Sequence, residues 1–172
     1  FNLVATFKAS KDLSEESITG SREDLMAPYI QFHPSVQRML ALLNTERRWM
    51  VTDREPVSGW SRGSVTLIGD AAHPMLQYMA QGACQALEDV VRLVDEVQAQ
   101  PDDIPAAFSA YAEGRYRRTA RVQFSARQLI EVCQVGGVMA EVLRSYFSQR
   151  SDEQKFESLA WLYSDRAGEK FQ

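Results

Sequence analysis

A chain of 172 residues with 45% apolar and 24% charged residues is long enough to bury a core of its own. Its net charge of −4 excludes nucleic acid as the main partner, since phosphate binding needs clustered positive charge, and no uninterrupted apolar run is long enough to span a bilayer. Two cysteines, Cys84 and Cys133, do not make a disulfide framework and fit a reducing, cytoplasmic setting.

In chain order, "FNLVATFKA" reads as a strand, apolar and rich in β-branched and aromatic residues, ended by "SKD". The chain opens within this pattern at Phe1, without Met, which gives the expectation of a piece of a longer protein. Residues 11 to 24 are polar and acidic, and Ser21 with Asp24 forms a capping pair for a helix. "PSVQRMLALLN" predicts a second helix from Pro34, with Val36, Met39, Leu40 and Leu43 on one face. "RRWMVTDREPV" reads as a strand stopped by Pro56, "GWSRG" as a turn, and "SVTLIG" as a short strand without alternation. Such a run is the pattern of a strand buried on both faces of a parallel sheet.

From Gly82 the period is helical, and Ala83, Leu87, Val90, Val94 and Val97 form one stripe. "QAQPDD" ends that helix. A long helix runs from Ile104 to about Cys133, capped by Asp103 with Pro105 in its first turn. Gly136 and Gly137 break it, a further helix covers Val138 to Phe147, and "SDEQKFESLAWLY" is the last, with Ser151 and Gln154 as its capping pair.

The stretch "VTLIGDAAHPMLQYMAQGACQALEDVV", residues 65 to 91, carries the chemistry. A strand that feeds a loop and then a helix opens onto a crevice where open α/β sheets bind ligands. Asp70 at the strand tip can accept hydrogen bonds from ligand hydroxyls. Gly82, with no Cβ, lets a flat ligand approach the main chain. The first-turn amides of Gly82, Ala83 and Cys84 have no intrahelical acceptor and lie at the positive end of the helix dipole. The arrangement suits a ligand with hydroxyls at one end and developing negative charge at the other.

The longer string "RRWMVTDREPVSGWSRGSVTLIGDAAHPMLQYMAQGACQALEDVVRL" resembles the second half of single-component FAD-dependent aromatic hydroxylases, the family of p-hydroxybenzoate hydroxylase, and within it the salicylate hydroxylase and 3-hydroxybenzoate 6-hydroxylase branch. "FNLVATF", "FHPSVQRMLAL", "YAEGRYRRTARVQFSAR" and "LAWLYSD" fit the same family in order, so the resemblance covers nearly the whole chain. It implies a helix-rich α/β fragment: a few strands from the FAD-binding and substrate-domain sheets, plus a long C-terminal helix bundle. Residues 1–60 would end the substrate-binding domain, 61–100 would form the FAD-binding strand, loop and helix, and 101–172 the C-terminal helices.

Position by position, the resemblance implies that Gly69 and Asp70 meet the ribityl chain of FAD, with Asp70 as acceptor. Ala71, Ala72 and His73 would form the turn beneath the cofactor, and Pro74 would stiffen the loop beside the flavin ring. Gly82, Ala83 and Cys84 would offer amides to the anionic edge of reduced flavin. Arg54 would position cofactor or substrate, or pair with Asp53 or Glu55. The activity implied is hydroxylation of a small aromatic acid by O2 through a flavin C4a-hydroperoxide, with NADH or NADPH as reductant. Two departures matter. Ala80-Gln81-Gly82 stands where many relatives have Gly-Gln-Gly, so Ala80 must tolerate the local backbone. Gln77 stands near a position where many have Pro. Gln77, between Met75 and Tyr78, is expected to face the aromatic substrate, against a solvated loop position as the alternative.

The glycine-rich G-x-G-x-x-G fingerprint and the second family motif, an Asp-Gly pair, are absent from the sequence. The expectation is that the N-terminal dinucleotide-binding half lies elsewhere, that the chain alone is inactive, and that it self-associates, as a homodimer. The alternatives are a flavoprotein epoxidase or other oxidase on the same scaffold, and a non-catalytic helical dimerisation module. Gly69-Asp70 with His73 also fits part of a metallophosphoesterase site, but that chemistry needs more ligands than His33 and His73 supply, and no metal site is assigned. His33 is expected at a surface helix start. Arg115, Arg118 and Arg121, with Arg117 and Arg127 nearby, read as an anion-binding stripe or as partners of acidic neighbours on a solvated face. Tyr111, Phe124 and Trp161 read as packing residues, and Cys84 as a buried, inert thiol, with an oxidation-sensitive thiol at a helix N-terminus as the alternative.

Overall fold

The computed structural model describes residues 3–7 and 20–163. The chain divides into two compact units, Phe1–Met50 and Val51–Gln172.

In the first unit, helix α1 (Arg22–Met26) starts at a complete capping box: the Ser21 hydroxyl accepts from the Asp24 amide, and the Asp24 carboxylate accepts from the Ser21 amide. A 3-10 turn, Ala27–Tyr29, leads to helix α2 (Pro34–Leu40). His33 caps α2, its Nδ1 accepting from the Ser35 amide at 3.2 Å, and is exposed as expected. Gln37 donates to the carbonyls of Ile30 and Phe32 at 2.8 and 3.1 Å, which closes the connection back onto the helix. Leu40 is buried. The helix ends three residues before the predicted Leu43. The expected strand at the start of the chain forms no ladder over residues 3–7; its other residues lie outside the described ones.

The second unit holds a two-stranded antiparallel hairpin, β1 (Ser61–Arg62) and β2 (Val65–Thr66), with Ser61 opposite Thr66. Five helices follow: α3 (Gly82–Ala99), α4 (Ile104–Cys133), α5 (Gly137–Ser148), α6 (Asp152–Glu157) and α7 (Ala160–Tyr163). The helix-rich reading holds, and the caps at Asp103 and Ser151 form as predicted. The strands are the correction. "RRWMVTDREPV" runs without a ladder, and "SVTLIG" contributes two residues to a hairpin rather than a strand to a parallel sheet. Val65, Leu67 and Ile68 are exposed rather than covered on both faces. A strand satisfies its amides only against a neighbour, and among the described residues only Ser61–Arg62 lies alongside, against Val65–Thr66.

The core of this unit centres on Trp60, Ala72, Tyr111 and Ala112, with Leu93 and Tyr116 against them. The hairpin is tied to α4 by Ser61, whose hydroxyl donates to the Phe108 carbonyl at 2.8 Å, and by the Tyr111 hydroxyl, which donates to the Leu67 carbonyl at 3.2 Å. Segment 53–55 is tied to α4 by Arg127, which meets the Asp53 and Glu55 carboxylates and the Arg54 carbonyl. Asp53 and Glu55 therefore pair with Arg127 and not with Arg54.

The faces of α3 are arranged against simple expectation. Leu87, Val90, Val91 and Val94 are 69, 46, 46 and 47% exposed, whereas Gln85 and Asp89 are completely buried against α4. α4 explains this: its facing surface carries Arg115 and Arg118, which need acceptors once out of water.

Candidate functional site

The segment 67–82 leaves the hairpin extended and turns sharply at Gly69. Gly69 has φ +56°, and a Cβ there would stand 3.3 Å from that of Ala86, so both conformation and space require glycine. A 3-10 turn, Gly69–Ala71, follows, with the amides of Ala72 and His73 both donating to the Gly69 carbonyl at 2.9 Å. Ala72 and His73 turn inward and are buried; Asp70 and Ala71 face outward. Pro74 is held by its carbonyl, which accepts from Gln123 at 2.9 Å. Met75 and Tyr78 are half-buried and Gln77 is exposed, in a second 3-10 turn, Gln77–Met79. Ala80 then adopts φ 52°, ψ 34°, the left-handed conformation, and the chain enters α3 at Gly82. Ala80 thus meets the backbone demand that a glycine would satisfy without strain.

The loop brings Asp70 opposite Gly82: a Cβ on Gly82 would lie 3.8 Å from Asp70 Oδ1. Without a Cβ, the main chain of Gly82 lies bare beside that carboxylate. No side chain caps the N-terminus of α3, although Gln81 is buried beside it. The amides of Gly82, Ala83 and Cys84 therefore take no cap from the residue that precedes them, and the Asp70 carboxylate stands beside the first of them. Cys84 is exposed, which overturns its reading as a buried thiol. The donor set fits a group with hydroxyls for Asp70 and a polarisable acceptor edge for the amides.

Beneath the loop lies a buried ionic network that the sequence reading missed. The Gly69 amide donates to Asp89 Oδ2 at 2.9 Å, and His73 Nε2 lies 2.6 Å from the same oxygen. The other oxygen of Asp89 accepts from Arg115 Nε at 2.8 Å. Arg115 also meets Glu88 at 2.6 Å and the Gln85 side-chain oxygen at 2.8 Å. Arg118 meets both oxygens of Glu88, at 2.6 and 2.9 Å, and donates to the carbonyls of Trp161 and Leu162 at 3.2 and 2.9 Å. Burial pushes the Asp89 carboxyl up, but the bonds from His73, the Gly69 amide and Arg115 outweigh it and hold it below its ordinary value. Burial likewise raises Glu88, and Arg118 and Arg115 bring it below its ordinary value.

Two sequence readings are corrected here. Arg115 and Arg118 do not line a solvated face; both are buried and paired. The turn beneath the loop is not closed by Asp70: His73 bonds to Asp89 instead. Phe124 is 59% exposed and does not pack in the core as Tyr111 does; Trp161 lies under the guanidinium of Arg121, 4.0 Å from the ring centroid. The available signal was the pair Glu88-Asp89 and the three-residue step from Arg115 to Arg118, which put opposite charges on two long neighbouring helices.

Among solved structures, a variant of HpxO from Klebsiella pneumoniae complexed with FAD matches with a TM-score of 0.72 and 27% identity, over 90% of this chain and 40% of that one. The chain thus has the fold of part of a flavoprotein. Sequence relatives are more particular. The 3-hydroxybenzoate 6-hydroxylase of Polaromonas naphthalenivorans is 37% identical over 168 residues, which is 98% of this chain and 42% of that protein. 3-Hydroxybenzoate 6-hydroxylase 2 of Aquipseudomonas alcaligenes is 38% identical over 164 residues, 95% of this chain and 51% of that protein. Over nearly its whole length the chain is a homologue of part of these hydroxylases, and it spans about half, or less, of their length. No protein-family model matches it.

Proposed function

We propose that the chain is the C-terminal part of an FAD-dependent, NAD(P)H-using monooxygenase that hydroxylates a small aromatic acid, a hydroxybenzoate or close analogue. The observation that carries the reading is the Asp70 carboxylate standing beside Gly82 at the start of α3, whose first-turn amides take no cap from Gln81. In this reading residues 61–100 form one wall of the flavin site, 101–172 the C-terminal helices, and 1–60 the end of the substrate domain. The rest of the relatives' length supplies the dinucleotide-binding half. The enzyme is cytoplasmic and homodimeric; no described helix is long and apolar enough to cross a membrane.

Bound flavin would supply reduction by the nicotinamide and oxygen transfer to the ring. This chain's residues bind and orient it. Gly69 sets the turn, Asp70 accepts from hydroxyls of the ribityl chain, and Ala71 and Ala72 form the floor. Gly82, Ala83 and Cys84 direct amide donors at the edge where negative charge develops, a fixed arrangement that needs no reorganisation. Pro74, held by Gln123, stiffens the loop beside the ring. Met75 and Tyr78 offer apolar surface to the substrate, and Gln77 a hydrogen-bond donor and acceptor to its hydroxyl or carboxylate.

The test is the full-length polypeptide. It should purify with the visible absorption of bound flavin and oxidise NADH or NADPH faster when a hydroxybenzoate is present. Gln77→Leu should raise KM for the aromatic acid at unchanged flavin content. A colourless full-length protein that gains no absorption on adding FAD overturns the reading; unchanged KM removes Gln77 from the substrate site.

A further inference from the structure

Asp70 is flanked by two residues, Gly69 and His73, that both bond to one oxygen of Asp89. Asp89 belongs to α3, the helix whose first turn holds Gly82 to Cys84. One carboxylate therefore ties the Asp70 turn to the helix that presents the amides. Its second oxygen is taken by Arg115 of α4, and Asp89, His73 and Arg115 are all at least nine-tenths buried. Main-chain bonds shape the turn itself, but within the set of bonds described only Asp89 links both of its ends to α3.

We propose that Asp89, oriented by Arg115, is a positioning residue for the flavin site: it sets the separation between the Asp70 carboxylate and the α3 amides before any cofactor arrives. The inference rests on the flavin reading of the site. Asp89 touches neither cofactor nor substrate and acts through Gly69 and His73. A preorganised cradle binds tighter because the loop is not ordered at the expense of binding. An amide in place of the carboxylate keeps the shape but offers one acceptor where three donors converge on two, so one of Gly69, His73 or Arg115 must face another donor.

The experiment compares full-length polypeptides. In Asp89→Asn the dissociation constant for FAD, measured by flavin fluorescence on folded apoprotein, should rise about tenfold, and the visible circular dichroism of bound flavin should change. Ser151→Ala, which removes the cap of α6, is the control for destabilisation alone and should leave both readings unchanged. Unchanged affinity and dichroism in Asp89→Asn overturn the proposal, as does an equal loss of affinity in Ser151→Ala. Should Asp89→Asn not fold, the unsubstituted apoprotein decides: hydrogen exchange in residues 67–74 should be slow without flavin. Fast exchange there that slows only when FAD is added shows a turn ordered by the cofactor and overturns the proposal. An unsubstituted polypeptide that binds no FAD at all brings down the functional reading itself, a result distinct from either of these.

Discussion

Arg115 is 4% exposed and serves three partners, Asp89, Glu88 and Gln85. Replacing one member of a buried ion cluster leaves its partner charged and unpaired, at a cost of about 3–5 kcal/mol. Arg115→Met should lower the urea-unfolding free energy by roughly that amount. The same network gives the protein an acid-sensitive component. Asp89 and Glu88 are held below their ordinary values when folded, so the unfolded chain binds the more protons as pH falls past about 4. Their contribution is complete above that pH and is lost as pH falls further through the folded values. Unfolding midpoints measured between pH 7 and pH 3 should fall below about pH 4, and fall less in Arg115→Met. None of this burial was legible in the residue types. Arginines and acids at helical spacing read as a wet surface, and only the pairing of α3 with α4 turns them into an interior.

At the scale of elements, what was legible had a local cause. Ser21, Asp103 and Ser151 each cap a helix because their side chains reach an amide three residues on, and that reach is written in the spacing. The strands had no such local cause. "SVTLIG" and "RRWMVTDREPV" have the composition of strands, but a strand is completed by a neighbour, and here only Val65–Thr66 finds one. The candidate site falls between these cases. Gly69, Asp70 and Gly82 could be placed from the order of loop and helix, whereas the inward turn of His73 onto Asp89 spans 16 residues and leaves no trace in a local pattern. Ala80 is the one non-glycine residue with positive φ among those described. Ala80→Gly should raise the unfolding free energy by about 0.5–1 kcal/mol, since relief of the left-handed strain exceeds the entropy glycine adds to the unfolded chain. Parallel urea titrations of the two proteins would measure it.

Across the whole molecule, one apolar flank of α3 and the hairpin end lie in the open, while Leu93 packs against the core. Leu87, Val90, Val91 and Val94, with Val65, Leu67 and Ile68, remain substantially exposed, and exposed apolar side chains grouped on one helix favour association. The chain as given should therefore self-associate. Sedimentation velocity should show concentration-dependent species, and Leu87→Lys with Val91→Glu should shift them toward monomer. If the chain holds one wall of a flavin site, as proposed, that same chain alone should bind FAD weakly and hydroxylate nothing.

The greasy flank of α3 has one more implication. A helix that offers its charged side to α4 while Leu87, Val90, Val91 and Val94 stay exposed is a ready seam. If the chain is part of a longer polypeptide, as proposed, two pieces produced separately, this one and the remainder, should be drawn together along that seam. Coexpression should then restore pigment and turnover that neither piece has alone, which would make the protein a natural subject for fragment complementation.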